Sequence, residues 1–392
     1  MENRRVLITD AQERSAAAAC QILRRAGYRV GAASSVRPAP GQWSRYCQAR
    51  FSVSNPRNGE RRFVEEIVKI VDNHDYAVII PGADVSLLAL SRHREAFNER
   101  IDLGIPPTNV VEACVSRVNL NEAASDSGLA PPETLVCETP DDAFAAASEL
   151  GFPVLLKPRS TVFERNGGLS DPASLLTWDA AALQERLPEF GFPCLMQRRE
   201  SGALVSFSGV FAEGRLLGVV VSRYRRTWPP DAGSVSFSET VAAPASLINR
   251  VRSFLEAVGW QGIFELELIE RGPESFGAID FNPRLYGSLA LAARAGVPLP
   301  AIWCDWLLGR EVPMQRAEPG FYYRWEDAEM RNFIRAVGER RFRDAASILR
   351  PRRRCAHAFF RWDDPGPLVA RAVGAIWGGR SAKKYSQRKE AL

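Results

Sequence analysis

Acidic residues alternate with apolar ones in FELELIE, residues 264 to 270, and an acid and an amide do so in AIDFN, residues 278 to 282. Side chains two apart in a strand share a face. Glu265 and Glu267 therefore point away from Phe264, Leu266 and Leu268, and Asp280 and Asn282 point away from Ile279 and Phe281. Residues 271 to 275, Arg-Gly-Pro-Glu-Ser, have the composition of a turn. Pairing Glu270 with Gly277 sets Glu267 opposite Asp280 and Glu265 opposite Asn282. Like charges facing each other across a ladder destabilise it, and a bound cation reverses the sign of that interaction. Glu267, Asp280 and Asn282 offer hard oxygen ligands. Mg²⁺ suits them, because it takes few protein carboxylates and completes its octahedron with phosphate oxygens and water. Arg284 falls on the same face, where a guanidinium suits a phosphate or acyl-phosphate oxygen.

Three further stretches have phosphate chemistry within reach. Lys157 ends the apolar run FPVLLKP, so its ammonium emerges from a buried base as a point charge; a lysine snorkelling at the surface has the same sequence signature. Gly167 and Gly168, in ERNGGLSD, allow backbone N–H groups to approach an anion closely. Arg223, Arg225 and Arg226 precede a Pro-Pro turn, and arginines beside a Mg²⁺-phosphate site stabilise charge on a transferring phosphoryl group. A basic surface strand would look the same.

The elements that must carry these groups follow from pattern. Residues 5 to 35 read strand, helix, strand, and YAVIIPGAD reads as another buried strand, which together predict a small open parallel sheet. Its first turn lacks G-x-G-x-x-G, so no dinucleotide site is expected there. Asp10 and Asp84 sit at strand ends, positioned to meet a substrate or to cap the next helix. A second unit begins near Pro106-Pro107, with a helix over 110 to 128, strands at ETLVCET and FPVLLKP, and a helix over 140 to 150 capped by Thr139. PCLMQRR, ALVSFSGVFAEG and RLLGVVVSRYR read as strands, the last two a hairpin about Gly214. A helix over 246 to 258 leads into the acidic hairpin. After Pro313 the chain turns Arg-rich and mostly helical.

Composition excludes several classes. Seven scattered cysteines without C-x-x-C, and three histidines, argue against a disulfide frame, a zinc site or a His-based metal centre. The N-terminal MENRRVLITD has no signal-peptide pattern. The longest apolar stretch, 289 to 308, is interrupted by Arg294, Asp305 and prolines, so no integral membrane segment is expected and a cytoplasmic setting is the default. From residue 331 onward there are 16 Lys/Arg against 5 Asp/Glu, leaving 35 against 41 for the rest. That basic end is a solvated helical face or tail, or a contact for an acidic partner or membrane surface.

The order of these pieces resembles the ATP-grasp superfamily, in particular the carboxylate–amine ligases related to D-aspartate ligase and the ATP-binding halves of carbamoyl phosphate synthetase and biotin carboxylase. The resemblance covers roughly 5 to 312 and is most specific in RRTWPPDAGS, GWQGIFELE and IDFNPRLYGSLALAARAGVPLP. It implies an ATP-grasp fold of mixed α/β and α+β class. A Rossmann-like parallel domain (1 to 108) would precede an ATP-grasp domain (109 to 312, with a lid over about 151 to 200). A basic, mostly helical extension (313 to 392) would follow. It implies metal ligation by Glu267, Asp280 and Asn282, with Asp280 in place of the commoner glutamate. Arg117, Lys157, Gly167 and Gly168 would hold phosphates. Gln197, Arg198 and Glu200 match the adenine hinge, and Arg284, Arg223 and Arg226 would be catalytic. The implied cofactors are ATP and Mg²⁺, with Mn²⁺ as a substitute. The implied activity is ADP-forming amide or peptide bond formation through an acyl phosphate, between a small-molecule carboxylate and an amine, amino acids foremost. No nucleic acid partner is expected, and a homodimer is one option. The alternatives are a carboxylase-like or thioester-forming enzyme with another acceptor, and a catalytically silent nucleotide-binding module.

Overall fold

The computed structural model describes residues 4–98, 101–165, 168–230 and 233–378. Gly167 and the basic stretch 380 to 392 lie outside them.

Short runs of buried apolar residues make the first sheet. Strands β1 (Arg5–Ile8), β2 (Arg29–Ser34), β3 (Ala49–Ser52) and β4 (Val78–Ile80) are all parallel, in the order β3-β2-β1-β4. β1, β2 and β4 are largely covered on both faces and lack polar alternation, whereas the edge strand β3 alternates, with Arg50 and Ser52 exposed. Val6 and Ile8 pack toward the helix Arg14–Arg25, whose run of buried alanines permits close approach. Leu7 and Ile79 pack on the other face against Phe63, Val64, Ile67 and Val71 of the helix Glu60–His74.

A second sheet, in the stretch where the lid is expected, comprises β5 (Thr134–Cys137), β6 (Val154–Pro158), β9 (Leu175–Thr177) and β10 (Cys194–Arg198), in the antiparallel order β5-β10-β6-β9. The hairpin of β7 (Phe163–Arg165) and β8 (Gly168–Ser170) stands beside it. The stretch expected as a lid over about 151 to 200 shares its sheet with β5, which pairs with β10 and starts at Thr134. The helix Pro140–Leu150 starts with Thr139 and Asp142 capping each other's backbone, as its sequence predicts. The helix expected over 110 to 128 is two helices, Thr108–Val115 and Arg117–Asp126. The break has a tertiary cause. Ser116 turns extended to bridge Ser160, Arg117 N–H donates to the Arg159 carbonyl, and Thr161 N–H donates to that of Val115.

The large sheet holds the acidic hairpin. Strands β11 (Ala203–Ala212), β12 (Arg215–Trp228), β13 (Ser234–Val241), β14 (Gly262–Gly272) and β15 (Ser275–Asn282) are joined by β16 (Gln315–Arg316), β17 (Tyr322–Arg324) and β18 (Cys355–His357). The order is β15-β14-β11-β12-β13-β17-β18, with β16 beside β12. The chain after 312 contributes three helices, Glu326–Gly338, Phe342–Leu349 and Gly366–Gly378, and also three strands of this sheet. The expected boundary at 312 therefore cuts through one hydrogen-bonded unit.

Alternation decides the two faces of this sheet. Phe207, Phe264, Leu266, Leu268 and Phe281 point into a core shared with Val251, Phe254 and Leu255 of the helix Ala245–Val258. Burying each such aromatic or leucine side chain favours the fold by about 1.5–3 kcal/mol. The opposite face carries Ser206, Ser208, Ser222, Thr240, Glu265 and Glu267, which stand across from one another in the ladder.

Candidate active site

The hairpin pairs as the sequence predicts at its chemical end and differently at its turn. Glu265 faces Asn282 and Glu267 faces Asp280, but Leu268 faces Ala278 and Glu270 faces Phe276. Ile279 is the extra residue of a β-bulge. A bulged residue drops out of the ladder, and here its carbonyl accepts instead from Lys157 Nζ at 2.9 Å. The bulge thus links the lid strand β6 to the carboxylate face.

Around this point the structure brings together Glu267, Asp280, Asn282, Arg284, Arg117 and Lys157. Arg117 opens its helix; its Nη1 donates to the Pro158 carbonyl at 3.1 Å, and its Nη2 lies 3.6 Å from Asp280 Oδ1. Arg284 Nη2 donates to Asn282 Oδ1 at 3.0 Å and to Asp84 Oδ2 at 2.8 Å. Asp84 opens the helix Asp84–Arg92, so the first domain reaches the site through it. Asp10, by contrast, is wholly engaged in structure. It accepts from Thr9, Ser86 and the Gly82 N–H, and joins the loops after β1 and β4.

Two supporting residues have no signal in the sequence motifs. Tyr224 of β12 donates its hydroxyl to Glu267 Oε1 at 3.0 Å. Ser206 donates to Glu265 Oε1 at 2.8 Å, and the Asn282 amide donates to Glu265 Oε2 at 3.2 Å. Glu265 is thereby a buried, fully engaged carboxylate that orients Asn282. Only strand alternation across β11 and β12, once register is known, reveals these partners.

Other predicted residues go elsewhere. Arg223 lies on the opposite face of the sheet, where it pairs with Glu270 at 2.5 Å. Arg226 forms a two-toothed ion pair with buried Glu329 of the helix Glu326–Gly338 and stacks on Phe237. Neither arginine is brought to the carboxylates, because one points off the far face and the other anchors the helix Glu326–Gly338. At the hinge, Gln197 is buried and donates to Thr134. Arg198 and Glu200 turn outward to ion pairs with Glu133 and Arg271. Gly168 is explained by packing: a Cβ there would stand 2.0 Å from the Arg57 carbonyl oxygen.

Electrostatics match a site built for counter-charge. Burial, with Glu265 and Asp280 adding repulsion, pushes Glu267 up to about 8. Burial, with Arg117 adding to it, brings Lys157 down to about 8, against the pull of Asp280 and Glu267. Burial works against the charge of Arg284 too, but Asp84 outweighs it and holds the guanidinium firmly ionised. Asp280 Oδ1 and Arg117 Nε are buried without hydrogen-bond partners among the described residues. A cavity of about 20 Å³, lined by Arg117, Lys157, Gln197, Ile279 and Asp280, adjoins them. Among the described residues no cluster of three or more carboxylate, histidine or cysteine groups converges on one point. Two carboxylates and an amide, one carboxylate oxygen lacking a donor, fit an octahedral cation that keeps most of its other ligands for water and phosphate.

No protein-family model matches the chain. It is 28% identical over 166 residues to the carbamoyl phosphate synthase large chain of Pasteurella multocida, covering 40% of this chain and 14% of that one. It is 23% identical over 282 residues to that of Gemmatimonas aurantiaca, covering 69% and 25%. The matches thus span a quarter or less of these relatives. Among solved structures, N5-carboxyaminoimidazole synthetase from Staphylococcus aureus with ADP matches with a TM-score of 0.62 at 13% identity, covering 82% of this chain and 81% of that one. L-amino acid ligase from Bacillus licheniformis gives 0.61 at 15%, covering 79% and 75%. Biotin carboxylase from Campylobacter jejuni gives 0.59 at 15%, covering 79% and 72%.

Proposed function

We propose that this chain, which has the ATP-grasp fold, is an ADP-forming ligase that joins a carboxylate to an amine. The observation carrying this reading is the convergence of Glu267, Asp280 and Asn282 on one face of a hairpin, with Lys157 and Arg117 arriving from the lid side and Arg284 from the loop that follows. A Mg²⁺ ion held by Glu267, Asp280 and Asn282 would supply charge neutralisation between phosphates.

The remaining work belongs to side chains. Lys157 and Arg117 hold phosphate oxygens, and Gln197 borders the nucleotide on the hinge strand β10. Arg284, fixed by Asp84, receives the substrate carboxylate. One carboxylate oxygen attacks the γ-phosphorus as the bond to ADP breaks. The amine nitrogen then attacks the acyl carbon, and phosphate leaves with that carboxylate oxygen. Charge on the acyl phosphate falls to Arg284 and Arg117, since Arg223 and Arg226 are engaged elsewhere.

The test is phosphate release from ATP and Mg²⁺ with pooled amino acids and small carboxylic acids, with and without bicarbonate. Release that requires both a carboxylate and an amine supports the ligase. Release that requires bicarbonate alone would favour the carboxylase-like reading, and absence of Mg²⁺-dependent nucleotide binding would overturn both.

A further inference from the structure

The helix Glu326–Gly338 is amphipathic in the inverted sense. Its buried face holds Ala328, Glu329, Asn332 and Ala336. That face is fixed by polar contacts, Glu329 to Arg226 and Ser236, and Asn332 to Ser236 and the Thr227 carbonyl. At 100° per residue, Met330, Ile334 and Val337 fall on the opposite side. All three are exposed, Ile334 to 63%. The next helix, Phe342–Leu349, packs beside it and exposes Phe342 (65%) and Leu349. Between residues 331 and 354 the chain has nine arginines against two acids, Glu339 and Asp344, and both acids are already engaged by Arg335 and Arg341. Arg340, Arg343, Arg350 and Arg353 are exposed.

We infer that this helix pair is a docking surface for a bilayer containing anionic lipid. Apolar side chains on an outward helical face, flanked by arginines, are what interfacial helices present to the boundary between headgroups and acyl chains. The charge complements an anionic leaflet. A second copy of the chain fits less well, since a self-complementary contact would set arginines against arginines. A folded protein partner presents pockets to anchors or anchors to pockets, and the cavity beside Asp280 does not involve these helices. An exposed apolar stripe flanked by arginines suits a deformable anionic surface.

The experiment is co-sedimentation of the full chain with phosphatidylcholine vesicles, with and without phosphatidylglycerol. The chain is expected to sediment with the anionic vesicles, to stay in solution with the neutral ones, and to be released by salt. The double variant Ile334→Asp, Phe342→Asp should lose about tenfold or more of that partition, and Arg343→Glu, Arg353→Glu a similar amount, with circular dichroism unchanged. No sedimentation of the unaltered chain with anionic vesicles overturns the inference whether or not the variants fold. So does partition that the apolar substitutions leave intact, which would signify charge attraction alone. A concentration-dependent dimer in velocity sedimentation, lost in the double variant and indifferent to lipid, would assign the surface to a second copy.

Discussion

At the scale of single residues, the site is held in an uncomfortable state. Asp280 stands across the ladder from Glu267, and its buried Oδ1 has no donor among the described residues. Asp280→Asn should therefore do two opposite things. Without Mg²⁺ and above pH 8, where Glu267 is ionised, it should stabilise the protein by about 0.2–1 kcal/mol, the scale of a like-charge cross-strand pair, seen as a higher thermal midpoint. It should also lower Mg²⁺-dependent ATP turnover by about 100-fold or more, as losing one preorganised electrostatic group does. A variant both less stable and fully active would make the pair structural. Lys157 makes a separate prediction. Its pKa is depressed to about 8, first by burial, so the ammonium is lost as pH rises through 8 in the free protein. The dissociation constant for ATP should rise above pH 8, by up to about tenfold per pH unit. Lys157→Arg, permanently charged, should remove that rise; a parallel rise in both proteins would assign it to another group.

Elements show what a sequence can and cannot announce. The pairing of Glu267 with Asp280 is legible because period-two alternation leaves one arrangement that buries Leu266, Leu268 and Phe281 together. The bulge at Ile279 is not legible, since the groups that take up its freed backbone, Lys157 on the Ile279 carbonyl and the Leu129 carbonyl on the Ala278 N–H, lie more than a hundred residues earlier. The break at Ser116 is hidden for the same reason: local pattern favours a continued helix, and three lid contacts override it. Periodicity gives the faces of β12 but not which face meets the carboxylates, and in the structure Arg223 pairs with Glu270 and Arg226 with Glu329. The C-terminal strands were hidden by their brevity, three residues each for β17 and β18. One contact there is testable. His357 of β18 lies 3.4 Å from Glu326, at the start of the helix Glu326–Gly338, and its pKa is raised to about 9 by neighbouring Cys355 and Glu326. A raised folded-state pKa means that stability is fully present below the unfolded value of 6.5 and is lost as pH climbs through 9. We expect unfolding free energy to fall by on the order of 1–2 kcal/mol between pH 6.5 and 9. His357→Gln should flatten that slope, and an unchanged slope would show that the imidazole does not carry it.

For the whole molecule, the question is how firmly the first domain and the lid are joined across the site. Outside the site, Val162 and Leu169 share a buried apolar cluster with Val85, Leu87 and Leu88 of the first domain, and ion pairs ring that contact. Arg57 forms a two-toothed pair with Asp171 at 2.5 and 2.8 Å, and Arg92 reaches Glu164 at 3.0 Å while also touching Glu60 and Glu112. Gly168 lets the β7–β8 hairpin seat against the turn Pro56–Asn58, since any side chain there would strike the Arg57 carbonyl. Partly exposed ion pairs of this kind contribute about 0.2–1 kcal/mol each. Together they bias the hairpin toward the first domain without locking it. Under the proposed ligase reading, ATP must enter and water then be excluded, which needs a bias of that size, large enough to favour the joined state and small enough to let nucleotide exchange. Arg57→Ala combined with Arg92→Ala should therefore raise amide hydrogen exchange in Phe163–Arg165 and Gly168–Ser170 by about tenfold, the equivalent of about 1.4 kcal/mol. High salt should do the same to the unaltered chain, and ATP with Mg²⁺ should restore protection in both. Gly168→Ala should mimic the double variant even at low salt, because its effect is steric. Exchange unaltered by both salt and charge removal, with Gly168→Ala still acting, would mean that shape alone seats the hairpin.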